Sequence, residues 1–423
     1  MENLTARDKK HLWHPLTQHK LSPDSLPIAR AQGALLYDAA GKHYVDGISS
    51  WYTCVYGHCH PYILERVIAG MKQLDQVVFS GFTHEPAIRL SEELIKVLPG
   101  NQQKLFFSDN GSTATEIGIK MALQYHHNKG DKDRKVLMAF EEGFHGDTFG
   151  AMSASGLSVY NGPFEEFFIE VERLPVPTLD NIEGLLMALE ARLEQGDIAG
   201  FIYEPLVQGA AGMKMHDAQG LDRILALFRE QGALTIADEV MTGFGKTGRL
   251  FASDHLEHRP DIICLSKALT AGLVPMGLTT CSEAVYAAFY SDDIAKGLFH
   301  GHTYSANPLA CTAALAALEL LQSAQIQEGI RNIEGWHRAF QREMDDHPKV
   351  STTRTLGVIF ALELKTEMER YGAKRSKLYD HFMARGVYLR PLGNTIYILP
   401  PYIIEREQLE QIYDAVRSAL DLA

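Results

Sequence analysis

The chain has 423 residues, 46% of them hydrophobic and 22% charged, a balance that excludes a disordered, collagenous or coiled-coil protein and suggests two or three domains. Its 53 acidic against 40 basic side chains give a net charge of −13, which repels phosphate backbones and points away from nucleic acid as the main partner. Five scattered cysteines (Cys54, Cys59, Cys264, Cys281 and Cys311) make no disulfide framework, and a polar N-terminus with no apolar run of about 18 residues anywhere predicts a cytoplasmic protein that does not cross a membrane.

The first 60 residues are rich in proline and aromatic side chains and do not read as an independent core. They are expected to pack with the C-terminal part. Gly57-His58-Cys59-His60-Pro61 could suggest a metal, but no second ligand cluster stands at zinc-like spacing. Packing and turn roles are preferred, and no metal is expected. Next comes Ser108-Asp109-Asn110-Gly111-Ser112-Thr113-Ala-Thr-Glu116. Here a Gly-Ser-Thr turn opens a helix over 113–127, with Thr113 and Glu116 spaced as a capping box. Amide groups at such a start form an anion site; the same pattern also fits a plain capped helix.

The apolar run 135–140 reads as a strand and leads into Gly143-Phe144-His145-Gly146-Asp147. Glycines there allow close approach of backbone to a ligand, or simply a turn beside a packed Phe. Helix 180–195, strand 198–203 and helix 220–231 follow. Strand 233–238 ends in Asp238-Glu239, and strand 261–266 runs straight into Lys267. Strand ends are where open α/β sheets place ligands. A carboxylate there can hold a cation or a protonated ring nitrogen, or be a solvated strand end. A desolvated lysine has the lowered pKa that an amine nucleophile needs, whereas a lone lysine more commonly snorkels to the surface. Gly243-Phe-Gly245-Lys246-Thr-Gly248 matches a dinucleotide fingerprint literally, yet it does not open a helix directly from its strand, so a dehydrogenase reading is weak. A helix at 307–322 follows, then a long helix at 324–346, strands at 358–364 and 395–399, and a last helix at 405–421. Alternation of strand and helix over some 200 residues predicts an α/β domain with a mostly parallel sheet; the C-terminal third reads as a smaller α+β unit.

A lysine for a Schiff base, an acid for a ring nitrogen, a helix start for a phosphate and an aromatic for stacking are together what pyridoxal phosphate requires. Ile-Ala-Asp238-Glu239-Val240-x-Thr-Gly-Phe-Gly, Pro260-Asp261 and Leu-Ser-Lys267-Ala-Leu resemble the signature of the class III pyridoxal-phosphate aminotransferases. The resemblance implies a fold-type I architecture. A large domain over 60–310 would hold a seven-stranded sheet flanked by helices, and 1–59 with 311–423 would form a small domain. It also implies a homodimer with shared active sites.

Further segments narrow the resemblance to one branch of the class. They are His11-Leu-Trp13-His14-Pro15, Asp46-Gly47-Ile-Ser49-Ser50-Trp51-Tyr52, Gly81-Phe-Thr83-His84 and Arg390-Pro…Tyr397-Ile-Leu-Pro-Pro-Tyr402. That branch makes 7,8-diaminononanoate from 8-amino-7-oxononanoate in biotin synthesis, with S-adenosylmethionine as amino donor; lysine as donor, or another ω-amine substrate, is the alternative. Carried over by motif, Lys267 bears the cofactor and moves protons, and Asp238 pairs the pyridinium. Phe144 and Val240 sandwich the ring, Gly111 and Ser112 bind the phosphate, and Thr303 reaches a phosphate across the dimer. Trp51, Tyr52, Gly301 and Tyr397 line the substrate pocket, where Arg390 takes the oxononanoate carboxylate. Four residues depart from the usual pattern: Leu16 and Phe144 replace tyrosines, Lys246 an arginine and His302 a proline. Leu16 and Lys246 are expected on the substrate side, where they bear on the donor.

Overall fold

The computed structural model describes residues 4–158 and 161–422. After a short helix, Leu4–His11, come three short strands: β1 (Ile28–Gln32), β2 (Leu35–Asp38) and β3 (His43–Asp46). Next come β4 (Gln102–Ser108), β5 (Val136–Phe140), β6 (Val171–Leu174) and β7 (Ile198–Tyr203). The two-residue strands β8 (Val207–Gln208) and β9 (Lys214–Met215) follow, then β10 (Leu234–Asp238), β11 (Ile262–Leu265) and β12 (Gly277–Ser282). The C-terminal part adds β13 (Val350–Leu356), β14 (Ile359–Leu364), β15 (Val387–Tyr388) and β16 (Thr395–Ile398).

Seven strands form one sheet in the order β4-β12-β11-β10-β7-β5-β6. Its neighbours are parallel except at β12, which runs antiparallel to both β11 and β4. Every residue of β5, β7, β10, β11 and β12 is buried. Strands covered on both faces lose the apolar–polar alternation, so β5, β7, β10 and β11 stand out as nearly continuous apolar runs in the sequence. Alternate side chains feed two apolar layers. Leu137, Ala139, Ile202, Ile236 and Ile262 pack with Ala114, Ile117 and Met121 of helix Gly111–Asn128. Met138, Phe140, Phe201, Ala237 and Ile263 pack in the layer that holds Leu221, Ile224 and Phe228 of helix Ala218–Glu230.

The N-terminal strands are bonded to the C-terminal part: β3 pairs in parallel with β15, Val45 opposite Val387 and Asp46 opposite Tyr388. β13, β14 and β16 make a separate three-stranded sheet. Helix Pro308–Leu321, largely buried, packs on helices Pro61–Met71 and Glu85–Val97. Among the described residues no single helix is long and apolar enough to cross a membrane.

One local expectation is corrected. The helix of the anion motif starts at Gly111, and Asn110 is its N-cap, with its side chain accepting from the Thr113 amide at 3.0 Å. Thr113 closes the box by accepting from the Asn110 amide at 3.2 Å. Glu116 is therefore released from capping and accepts from the amides of Gly150 and Ala151 at 2.7 and 3.2 Å.

Candidate active site

The parallel strands deliver their functional residues to one edge of the sheet. Asp238 is the last residue of β10 and lies opposite Cys264 of β11, so the chain leaving β11 brings Lys267 past the same edge. Lys267 begins a short 3₁₀ turn with φ of +52°, and its Nζ stands 5.2 Å from the Tyr52 ring centroid. Burial lowers its pKa, opposed by the negative charges of Asp238 and Glu204. The Asp238 carboxylate is fixed from two sides. Oδ1 accepts from the Val240 amide at 3.0 Å, and Oδ2 lies 2.7 Å from Nδ1 of the buried His145. Both oxygens are thus held in place in a low-dielectric setting, where a charge acts most strongly.

β5 leads into the Phe144 loop. The Phe144 amide donates to Glu204 Oε2 at 3.0 Å and the His145 amide to Ser155 Oγ at 2.9 Å. Glu204 follows β7 directly and also accepts from the Gly209 amide at 2.9 Å. Burial is the main cause that pushes its pKa up to about 7; His145 opposes the rise and Asp238 adds to it. Phe144 is exposed and Val240 buried.

β4 ends at the anion corner. A Cβ on Gly111 would lie 2.8 Å from Val240 Cγ1, so the helix start abuts Val240, two residues after Asp238, with no room for a side chain. A Cβ on Gly146 would collide with Ser112, and one on Gly277 with the Asn110 carbonyl. Ser112 Oγ accepts from the Asp147 amide at 3.1 Å. Ser108 Oγ is buried without a partner among the described residues, beside Gly277. Free amides at a helix start suit a phosphate, the Lys267 amine suits an aldehyde and the Asp238 carboxylate suits a protonated ring nitrogen. The residues present therefore fit pyridoxal phosphate.

The opposite wall is a left-handed turn. Ser49, Ser50, Trp51 and Tyr52 have φ of +48°, +44°, +68° and +71°. Each such non-glycine residue costs about 1–2 kcal/mol, so the turn needs external bonds. It places the Trp51 ring 4.6 Å from the Arg390 guanidinium carbon, and the Tyr52 ring 5.9 Å from that of Tyr397. Burial raises the pKa of both tyrosines, so both stay as neutral phenols.

The remaining expected residues lie elsewhere. Gly301 and Thr303 are exposed on a loop, where the Thr303 carbonyl accepts from Gln76 Nε2 at 2.8 Å. Lys246 is fully buried and donates to the Gly243 carbonyl at 2.9 Å; burial and the charge of Lys267 bring its pKa down to about 7, with Glu239 opposing. Leu16 is half exposed on the N-terminal segment. Among the described residues no group of three or more His, Cys, Asp or Glu side chains could hold a metal. Glu204 was absent from the residues expected at the site, although an acid directly after an apolar strand is the same signal that marks Asp238.

The class III aminotransferase profile matches residues 17–420. An adenosylmethionine-8-amino-7-oxononanoate aminotransferase of Synechococcus elongatus is 44% identical over 420 residues, covering 97% of this chain and 98% of its own. The crystal structure of an adenosylmethionine-8-amino-7-oxononanoate aminotransferase from Methanocaldococcus jannaschii superposes with a TM-score of 0.93 at 32% identity, over 99% of both chains. The omega transaminase of Pseudomonas jessenii, in complex with PMP, gives 0.92 at 26% identity, over 99% of this chain and 98% of its own. With the lysine, the carboxylate and the anion corner on one sheet edge, the chain is a fold-type I, pyridoxal-phosphate-dependent enzyme and belongs to the class III aminotransferases.

Proposed function

We propose that this enzyme transfers an amino group to 8-amino-7-oxononanoate, giving 7,8-diaminononanoate in biotin synthesis, with S-adenosylmethionine as donor. Full-length likeness to relatives that carry this name supports the reading. The observation that carries the acceptor assignment is Arg390 laid over Trp51, beside Tyr52 and Tyr397. A planar guanidinium beside aromatic walls takes a carboxylate at the end of an apolar chain.

Bound pyridoxal phosphate supplies an aldehyde that takes up amines and a ring that withdraws electrons from the carbon being deprotonated. Lys267 would hold that aldehyde between turnovers and, as a free amine, would take up and return the proton at its Nζ. Its lowered pKa keeps more of it in the basic form. Asp238, fixed by His145 and Val240, keeps a proton on the ring nitrogen. Glu204 holds the Phe144 loop, so that Phe144 and Val240 clasp the ring. Gly111 and Ser112 take the phosphate.

The two half-reactions, run separately on the yellow holoenzyme, test this. S-adenosylmethionine alone should bleach the colour, and 8-amino-7-oxononanoate should then restore it. Lysine bleaching the colour where S-adenosylmethionine leaves it intact would overturn the donor assignment. Loss of a charge-assisted pair costs about 1.5–3 kcal/mol. Arg390→Ala should therefore slow the second half-reaction about tenfold or more and spare the first; equal loss in both would make Arg390 structural.

The same reading includes a division into a large domain over 60–310 and a small one from 1–59 and 311–423, with helix Pro308–Leu321 as the joint, and a cytoplasmic homodimer. Exposed Val78, Phe82, Phe299 and Tyr304 support a partner surface, in the two segments that the Gln76–Thr303 bond ties together. In the dimer, Thr303 of one chain serves the phosphate of the other. Lys267→Ala chains mixed with Thr303→Ala chains should regain part of the activity, because each heterodimer holds one intact site. A fully active monomer in sedimentation would count against it.

A further inference from the structure

Asp46 and His58 stand outside the chemistry described so far, yet they converge on the turn that carries Trp51 and Tyr52. Asp46, the last residue of β3, is fully buried. Its Oδ1 accepts from the Ile48 amide at 3.2 Å, and its Oδ2 accepts from Ser50 Oγ at 2.8 Å. The same Oδ2 lies 2.8 Å from His58 Nε2. His58 is itself immobilised by two backbone bonds with Gly33, at 3.0 and 2.8 Å. Burial pulls the His58 pKa down, but the bonds and charges of Asp46 and Cys54 outweigh it and push it up to about 10. His58 is therefore held as an imidazolium against the Asp46 side chain at neutral pH.

Ser50 is the second of the four left-handed residues, and the rings it precedes face Arg390 and Lys267. None of these four residues is glycine, so the conformation depends on bonds from outside the turn. Ser49 Oγ supplies one, to the Leu399 carbonyl at 2.8 Å. Thr53 Oγ1 donates to the Ser50 carbonyl at 2.9 Å, Asp46 holds the Ser50 side chain, and His58 holds Asp46.

We propose that Asp46, Ser50 and His58 are positioning residues for the acceptor: they lock the left-handed turn that lays Trp51 against Arg390. The inference rests on the reading of Arg390 as the carboxylate site. It also gives the His58 motif, a candidate metal ligand in the sequence, a role that needs no metal.

The test uses the holoenzyme with Trp13→Phe and Trp336→Phe, which leaves Trp51 as the only tryptophan. In that background His58→Ala and Ser50→Ala should make Trp51 fluorescence more readily quenched by acrylamide. Both should raise the acceptor KM about tenfold, with kcat within threefold and the donor half-reaction within twofold. His58→Gln, which keeps a donor for Asp46, should restore most of both readouts. Unchanged quenching in both alanine variants would overturn the proposal. So would a parallel fall of both half-reactions with the melting temperature, or failure of His58→Gln to rescue. Ser50→Ala removes one hydroxyl and leaves the buried pair intact, which keeps the test open if His58→Ala does not fold. Should the unmodified enzyme not turn over 8-amino-7-oxononanoate at all, the functional reading fails, and the fluorescence arm still decides the clamp.

Discussion

Lys267→Ala is expected to reduce turnover by about 10⁴-fold or more, since it removes both the covalent anchor and the proton carrier. Borohydride reduction of the holoenzyme, followed by peptide mapping, should place the label on the Leu-Ser-Lys267-Ala-Leu peptide. The loss should not come from unfolding. Lys267 already adopts a left-handed φ of +52°, which alanine tolerates no worse. Removing a desolvated amine also relieves a burial penalty. With both proteins stripped of cofactor, a melting temperature equal to or above that of the unmodified protein is therefore expected alongside the loss. Label on another lysine, or activity above about one per cent of normal, would sink the assignment.

Asp238 is expected to separate charge from structure. Asp238→Asn keeps an acceptor for the Val240 amide and a polar partner for His145, yet loses the charge that holds a proton on the ring. Its turnover should fall about 10²–10³-fold, the scale seen when a preorganised electrostatic partner is removed, with little change in melting. Asp238→Ala leaves the buried His145 without its partner. Leaving a buried hydrogen-bonding group without its partner costs about 1–3 kcal/mol, so this variant should lose stability as well as turnover. Thermal melts and steady-state rates on the two variants read this directly. If Asp238→Asn retained full turnover, the carboxylate would be structural only.

The strands that carry the chemistry were legible because both of their faces are buried: β7, β10 and β11 are nearly continuous apolar runs, and Glu204 follows β7, Asp238 ends β10 and Lys267 comes two residues after β11. β4 and β12 were not. β4 is an edge strand in which Gln103 and Lys104 are exposed, and β12 carries polar Thr279 and Thr280 in buried positions, where each hydroxyl is bonded. Neither has the run or the alternation that marks a strand. The left-handed turn was equally silent, because Ser49–Tyr52 contains none of the glycine or asparagine that announces positive φ. Trp51 and Tyr52 could be placed only through the family resemblance. Lys246 belongs with them. Its substrate-side placement came only through the family resemblance; the Gly243–Gly248 turn folds its amine onto the Gly243 carbonyl, in the interior and within reach of the charge of Lys267.

The reversed strand β12 also sets a schedule. Gly277 at its start stands against the Asn110 carbonyl, and Leu278 pairs with Phe107. The anion corner is thus built from two stretches that leave the ribosome far apart in time, at roughly 5–20 residues per second. When Lys267 emerges, β11 still has an unpaired edge and β4 has no neighbour, since β12 separates them in the sheet. Only once Ser282 is free of the exit tunnel can the sheet close and the phosphate corner take shape. Cofactor capture is therefore a late event in the life of the nascent chain, and until then the open edges of β4 and β11 are where a chaperone, or another nascent chain, would pair.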